Sequence, residues 1–411
     1  MAASYNTYPP LVVLSESPII YNLQDSSADV DKDSYQMMLD LFVWKGSSSA
    51  KPATPLFTLS KYPIEHKSGL YYTANFDVSN IVDSYMTSSL ADVYENEESE
   101  NQLYIAAEAY SRWKVSNSYV TSSHQSGGQR TVMNGYNLWG EMELLQSSSE
   151  YQIEDIINKN PIISSLPQNV SQSLSNISVP YYFSVLNAQQ SPYVYPDTVE
   201  VESSNGFSKT FTLPGAASYD SSSLRISNLV ISGSDWDSIE GSSWVNITAY
   251  DGTTPYDNPI NIDLTCQKKY TPVRIIFKNR FGAFDNFEFS LVSQNTFEVD
   301  TKEFKSNALN TDEAAYNRYN GTKTYYSDGV ETLTVNSDYI DESFNDFFKQ
   351  MMASDEIYWV MDRDDADNGL WANLQPLTLI SKNLQFKKQE VDKLINYQLT
   401  FKYGTPYKLT L

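Results

Sequence analysis

The C-terminal part of the chain carries the pattern that decides the fold. It opens with TPVRIIFKNRFGAFDNFEFSLVS (271–293), in which two apolar runs flank a turn-forming Asn-Arg-Phe-Gly. Helical spacing follows in DYIDESFNDFFKQMM (338–352), and three more apolar runs come after it, IYWVM (357–361), LQPLTLI (374–380) and INYQLTFKY (395–403). Short runs rich in aromatic and β-branched residues, bounded by turn residues, are typical of strands. The order predicts a β domain that carries one helix.

The helix is predicted over residues 339–352. Its apolar residues recur at helical intervals and would share one face: Ile340, Phe344, Phe347, Phe348, Met351 and Met352. Asp338 is the expected N-cap, because its carboxylate can accept hydrogen bonds from free N–H groups of the first turn. The last run instead alternates strictly, which predicts a strand with one buried face: Ile395, Tyr397, Leu399, Phe401 and Tyr403.

Composition extends the β prediction to the whole chain. The 411 residues suffice for two to four domains with their own cores, and 31 Tyr, 18 Phe and 7 Trp suit half-buried pleated surfaces. We predict a mainly β fold with two or three β-sandwich-like domains and one amphipathic helix packed on the C-terminal sheet. The predicted layout is an N-terminal β-sandwich-like domain (1–150), a polar linker (151–178), a middle β domain (179–270) and a C-terminal β domain with the helix (271–411).

Charge restricts the partners. A formal net charge of -23 argues against nucleic acid and against an anionic membrane surface, since both are bound by clustered Lys and Arg. No apolar stretch is long enough to predict membrane insertion. The start of the chain lacks the basic and apolar regions of a signal peptide, so synthesis in a cytoplasm is expected. A single cysteine, Cys266, allows no intrachain disulfide.

Catalytic motifs are weak. The two histidines, His66 and His124, lie in turn-like contexts, and the chain has no GxSxG elbow and no phosphate-binding glycine loop. A Ser-His-Asp triad would need one of these imidazoles to be held in place by neighbours. Paired carboxylates leave a glycosidase open but unsupported, because 51 acidic residues give such pairs by chance. We predict a protein that is not an enzyme and has no cofactor.

Two binding hypotheses come from local patterns. The acidic run MDRDDADNGLW offers hard oxygen ligands for Ca²⁺, with Asp362, Asp364, Asp365 and Asp367 as candidates. Its spacing departs from the EF-hand, and a solvated hairpin loop is the stronger interpretation. Aromatic rings could stack on sugars, and the candidates for that role are Tyr193, Tyr195, Trp236 and Trp244. Rings of this kind more often pack in cores and across strands.

A structural turn is predicted between the first two strands of the C-terminal domain. Asn279, Gly282 and Asp285 have the residue types that shape such a turn, and we expect Gly282 to adopt a positive φ, which glycine does at little cost.

Several motifs together resemble a family, the structural proteins of tailed phages that infect Bacteroidota, crAss-like phages included. In the C-terminal part they are IIFKNRFGAFDNFEF (275–289), LTVNSDYIDESFNDFFKQMMASDEIYWV (333–360) and LQPLTLISKNLQFKKQEVDKLINYQLTFKY (374–403). In the N-terminal part they are SPIIYNLQ (17–24), VWKG (43–46), FTLSKYP (57–63) and ANFDVSNIV (74–82). The resemblance carries no catalytic residue.

This resemblance implies a non-enzymatic virion protein of the tail, neck ring or baseplate. Its expected location is the virion, and its expected partners are other virion proteins and copies of itself, joined through β-domain surfaces. The alternative function is a receptor- or glycan-binding module of the tail-fibre or lectin type, with a glycan as the partner.

Overall fold

The structure is a computed structural model. It describes residues 3–10, 12–26, 32–46, 50–65, 71–86, 103–136, 161–167, 172–175, 180–188, 196–213, 224–257, 259–265, 269–305, 322–361, 374–384 and 395–404. The chain forms two compact units. The first comprises Met1–Leu174, Pro180–Leu264 and Lys278–Asp285, and the second comprises Ser175–Val179, Thr265–Phe277 and Asn286–Leu411. The fold is mainly β with several separate sheets, which confirms the predicted fold class.

The first unit begins with a β-sandwich. Its strands are β1 (Ser4–Thr7), β2 (Val12–Glu16), β3 (Ile20–Ser26), β4 (Gln36–Lys45), β5 (Phe57–Lys61), β6 (Ile64–Glu65), β7 (Tyr71–Asp77), β8 (Leu103–Val115), β9 (Ser118–Thr121) and β10 (Gln125–Tyr136). One sheet has the order β1-β3-β7-β6, and the other has the order β2-β10-β8-β4-β5 with β9 paired to β8. The pairing of β2 with β10 is parallel. A short helix, α1 (Ser79–Asp83), follows β7.

The core of this sandwich comes from alternate residues of both sheets. Tyr21 and Leu23 of β3 lie in the same buried cluster as Leu39 and Leu41 of β4 and Ile105 of β8. Alternation along a strand sends every second side chain to one face, so each sheet has an apolar inner face. The two apolar faces pack together, as in other β-sandwiches.

The first unit also contains a second β-sandwich. Its strands are β11 (Ile162–Ile163), β12 (Gln172–Ser175), β13 (Tyr181–Ala188), β14 (Thr198–Ser203), β15 (Ser208–Thr212), β16 (Leu224–Ile231), β17 (Trp244–Asp251), β18 (Thr254–Pro255) and β19 (Ile260–Thr265). Its sheets have the orders β11-β13-β16 and β12-β19-β17-β14-β15, with β18 paired to β17. A helix, α2 (Gly233–Ser238), begins with a capping box between Ser232 and Asp235. Strands β11 and β12 both lie within residues 151–178, the range predicted as a polar linker.

Most of the second unit is a seven-stranded sheet, although Lys278 at the end of β20 and Phe284–Asp285 at the start of β21 are grouped with the first unit. Its strands are β20 (Val273–Lys278), β21 (Phe284–Phe289), β22 (Gln294–Lys305), β23 (Thr322–Asn336), β24 (Ile357–Val360), β25 (Leu374–Leu379) and β26 (Gln398–Tyr403), in the order β21-β20-β24-β25-β26-β23-β22. A 3₁₀ turn, Glu342–Phe344, leads into helix α3, Asn345–Ala353. The Phe347 ring of α3 contacts Phe277 of β20 and Phe287 of β21, with centroids 5.0 and 5.7 Å apart.

Helix α3 begins later than predicted. The sequence indicated a helix from residue 339 with Asp338 as N-cap, but Ile340 forms a β-bridge with Ile395 instead. The carboxylate of Asp341 caps the 3₁₀ turn by accepting a hydrogen bond from the Ser343 N–H. A bridge to a residue far along the chain fixes Ile340 in extended backbone, so the regular helix can form only after that point.

Candidate interaction surface on the C-terminal sheet

The most distinctive surface of the second unit is a two-stranded extension of its sheet. Strand β23 pairs with β26 only as far as the Thr332–Lys402 pair, whereas its pairing with β22 continues out to Thr322 and Lys305. We call residues 297–305 and 322–331 the ribbon. At about 3.3 Å per residue, the ribbon extends roughly 25–30 Å past the sheet. An isolated pair of strands is only marginally stable in water, and a third strand beside the ribbon would stabilise it.

Apolar side chains of the ribbon are exposed to solvent. Every residue of β22 is exposed, including Phe297 at 50% and Phe304 at 47%, and Tyr325 of β23 is 61% exposed. Phe297 lies across the ribbon over Gly329: a Cβ on that glycine would come within 2.4 Å of the ring. Aromatic rings placed over strand glycines stabilise the pairing and enlarge the apolar face. Phe297 and Phe304 are seven positions apart on one strand, so their side chains lie on opposite faces, and each face of the ribbon carries an exposed ring.

Two negative charges of the ribbon face each other across its two strands. Asp300 of β22 lies directly opposite Asp328 of β23, and like charges in that position destabilise a strand pair. Lys302 lies opposite Tyr326, with its ammonium 5.3 Å from the ring centroid. The Tyr326 hydroxyl donates to Asp328 at 3.4 Å, and the charge of Asp328 raises the pKa of Tyr326. An added positive group beside Asp300 would offset this repulsion.

The ribbon was not predicted from the sequence. Its alternation is present in Phe297, Val299 and Thr301, but the intervening Glu298 and Asp300 and the Gly329 on the partner strand lower the β propensity of the stretch. The signal that could have found it is the alternation itself, because apolar residues at every second position predict a strand even where neighbours are charged.

The predicted turn lies in the first unit, at residues Lys278–Asp285. Asn279 holds it: its side-chain oxygen accepts hydrogen bonds from the N–H groups of Phe281 at 3.0 Å and Ala283 at 3.1 Å. Gly282 has φ +81°, as predicted, and its N–H donates to the Asn279 carbonyl at 3.0 Å. The three predicted residues therefore meet in one turn.

Asp285 is the buried acceptor of this turn. Its carboxylate receives hydrogen bonds from the Asn279 amide at 2.9 Å, from the Ser164 hydroxyl at 2.6 Å, and from both the N–H (2.8 Å) and the hydroxyl of Ser165. Burial raises the pKa of Asp285, while these donated hydrogen bonds act in the opposite direction. The serine partners are more than 100 residues earlier in the chain, which is why the sequence did not show them. Asp285 thus links the turn to Ser164 and Ser165 through buried hydrogen bonds, which is a structural role.

The glycan candidates do not come together among the described residues. Trp236 is 1% exposed and its ring packs on Tyr181 at a centroid distance of 6.3 Å, so it belongs to the core of the second sandwich. Trp244, at the start of β17, is 37% exposed and offers part of one ring to solvent. Tyr193 and Tyr195 lie outside the described residues. A stacking platform made of Trp236 is ruled out by its burial.

His124 lies on the surface beside Tyr110 and Glu108. His124 stacks on Tyr110 at 4.2 Å, and its Nδ1 lies 3.4 Å from a Glu108 carboxylate oxygen. Glu108 also accepts a hydrogen bond from the Lys51 ammonium at 2.6 Å, which lowers the pKa of that carboxyl group. These contacts are those of a surface ion-pair network. His66 and the calcium candidates Asp362, Asp364, Asp365 and Asp367 lie outside the described residues.

The described part of the chain contains neither a metal-ligand cluster nor a membrane-spanning helix. No three acidic, histidine or cysteine side chains there come together as a metal site. Within the same residues, no helix is long and apolar enough to cross a membrane. Compared with known proteins, the chain matches no protein-family model and no curated protein.

Proposed function

We propose that this protein is a non-enzymatic structural component of a tailed-phage virion, in the tail, neck ring or baseplate, and that it assembles through surfaces of its β domains. The observation that carries the proposal is the ribbon, a two-stranded arm with exposed aromatic residues on both strands. A monomer gains nothing from such an arm, since exposed apolar strands invite aggregation. A subunit that binds neighbours uses it as an interface.

Three further features support this role. The motifs at both ends of the chain resemble those of phage structural proteins. Each sandwich has a large buried apolar core, which suits a rigid structural subunit. The net charge of -23 gives long-range repulsion that keeps copies soluble before they assemble.

The direct test is the composition of purified virions. Particles of the source phage are banded on a density gradient, and their proteins are identified by peptide mass spectrometry. We expect this chain in the particle fraction at a fixed copy number relative to the major capsid protein. Its presence in infected-cell lysate together with its absence from purified particles would overturn the proposal.

A matched pair of substitutions tests the ribbon. Tyr325→Ser removes an exposed ribbon tyrosine, and Tyr62→Ser removes a tyrosine of the first unit that is 67% exposed against 61% for Tyr325. Both changes leave the buried cores untouched. We expect Tyr325→Ser to lower incorporation into particles in a complementation assay and Tyr62→Ser to leave it unchanged. Equal incorporation of both variants would remove the ribbon as the assembly surface.

A further inference from the structure

In the described part of the chain, strand β22 forms one edge of the seven-stranded sheet. It stands last in the strand order of the described residues, and all of its residues are exposed. An edge strand presents unpaired N–H and C=O groups that can pair with another strand. Proteins usually cover a long edge or place lysines along it, and β22 carries Lys302 and Lys305. Any partner of β22 must therefore neutralise these lysines.

We propose that the occupant of this edge is β22 of a second copy, paired antiparallel across a two-fold axis that passes through Thr301. This inference rests on the proposed structural role and names the partner of the ribbon. The two ribbons then form one four-stranded sheet in the order β23-β22-β22-β23. Three or more strands are needed for a sheet to be independently stable, so the pairing stabilises two arms that are marginal alone.

The charges of β22 select this register. In an antiparallel pair centred on Thr301, Asp300 of each copy lies opposite Lys302 of the other, which gives two ion pairs. Shifting the centre to Asp300 or to Lys302 places a residue opposite its own copy and so brings like charges together. Among centres from residue 298 to residue 303, only Thr301 has no two like charges opposite one another. Within that range of centres, the strand is self-complementary only in the Thr301 register.

The remaining pairs of this register are compatible with it. Glu298 lies opposite Phe304, Val299 opposite Glu303, and Phe297 opposite Lys305, where the lysine stem and ammonium can cover the ring. A Lys302 in each copy also adds positive charge beside the Asp300–Asp328 pair. The dimer thus relieves the repulsion that each ribbon contains on its own.

Charge exchange gives a test with internal controls. Asp300→Lys places lysines opposite lysines in the dimer, and Lys302→Asp places aspartates opposite aspartates. The double variant D300K/K302D restores two opposite-charge pairs, and so does an equimolar mixture of the two single variants. Full-length proteins are compared by light scattering after size exclusion and by sedimentation equilibrium, at about 1–100 μM. Asp300→Lys also removes the Asp300–Asp328 repulsion, so failure to dimerise would not reflect a weakened ribbon.

We expect a wild-type dimer, dissociation about tenfold or more easier in each single variant, and recovery in both the double variant and the mixture. A monomeric wild type, or an oligomer that ignores the single charge changes, would overturn the β22 pairing. Neither result bears on the proposed virion role, because that role is tested separately by whether purified particles contain the protein. Absence from particles together with the full charge-exchange pattern would overturn the virion role and keep the dimer.

Discussion

Removing the carboxylate of Asp285 should weaken the first unit strongly. In Asp285→Ala, the Ser165 N–H and the Asn279 amide lose their acceptor in a buried site, and an unpaired buried donor costs about 1–3 kcal/mol. The two serine hydroxyls can rotate and lose less. Removal of a buried charge offsets part of this cost, so we expect the free energy of unfolding to fall by about 3 kcal/mol.

Asp285→Asn is the matched control. Its amide oxygen can take the position that accepts three of the hydrogen bonds, and its amide nitrogen can donate to the Ser164 hydroxyl, which then accepts. The loss should be about 1 kcal/mol. Urea unfolding gives the global value, and hydrogen exchange at the Ser165 amide gives a local one. The reasoning fails if Asp285→Ala is as stable as the wild type, or if both variants lose the same amount.

The same pair of proteins tests the protonation of Asp285. Because burial raises its pKa in the folded state above the ordinary value of 3.8, the folded state holds the proton more tightly than the unfolded chain. The stability of the wild type relative to Asp285→Asn should therefore be greatest below that ordinary value. It should fall as the pH rises through the folded pKa and stay constant above it. A relative stability that rises with pH would show that the hydrogen bonds outweigh burial.

Two further pairs of substitutions compare a fixed neighbour with a movable one and a buried ring with a partly exposed one. Gly135→Ala should lower the free energy of unfolding by about 3 kcal/mol or more, because its Cβ would lie 2.2 Å from a backbone carbonyl oxygen. In Gly329→Ala the Cβ meets only the tip of the partly exposed Phe297 ring, which can move, so the loss should be under about 1 kcal/mol. Thermal unfolding of both variants checks this order. Trp236→Ala should lower the free energy of unfolding by about 3–5 kcal/mol, and Trp244→Ala should lower it by under about 1 kcal/mol. Equal losses in urea titrations would contradict this prediction.

Strands were predictable where the apolar pattern reports burial. Strand β4 follows from the long apolar run MMLDLFVW, which is buried on both faces, and β26 follows from the alternation of Leu399 and Phe401, which are buried on one face. Helix α3 was predictable for the same reason, since Phe347, Phe348 and Met351 share a buried face. Its start was not, because the extended backbone at residue 340 depends on a bridge to a distant residue.

The candidate sites show the same division. Asn279 and Gly282 shape a turn through local backbone contacts, so their roles could be inferred from the residue types. The partners of Asp285 could not, because Ser164 and Ser165 reach it through the tertiary fold. The ribbon was not predicted because hydrophobic patterns indicate which face of a strand is buried, and the apolar residues of the ribbon are exposed.

The division of the chain into interleaved segments has a consequence for its synthesis. The segment Lys278–Asp285 belongs with the first unit, although residues of the second unit precede and follow it along the chain. A nascent chain released up to the end of β19 lacks the carboxylate that Ser164 and Ser165 bind. The first unit therefore reaches its final form only after residue 285 has left the ribosome. Fragments that stop between β19 and Asp285 should remain incompletely folded, however well their sandwiches form.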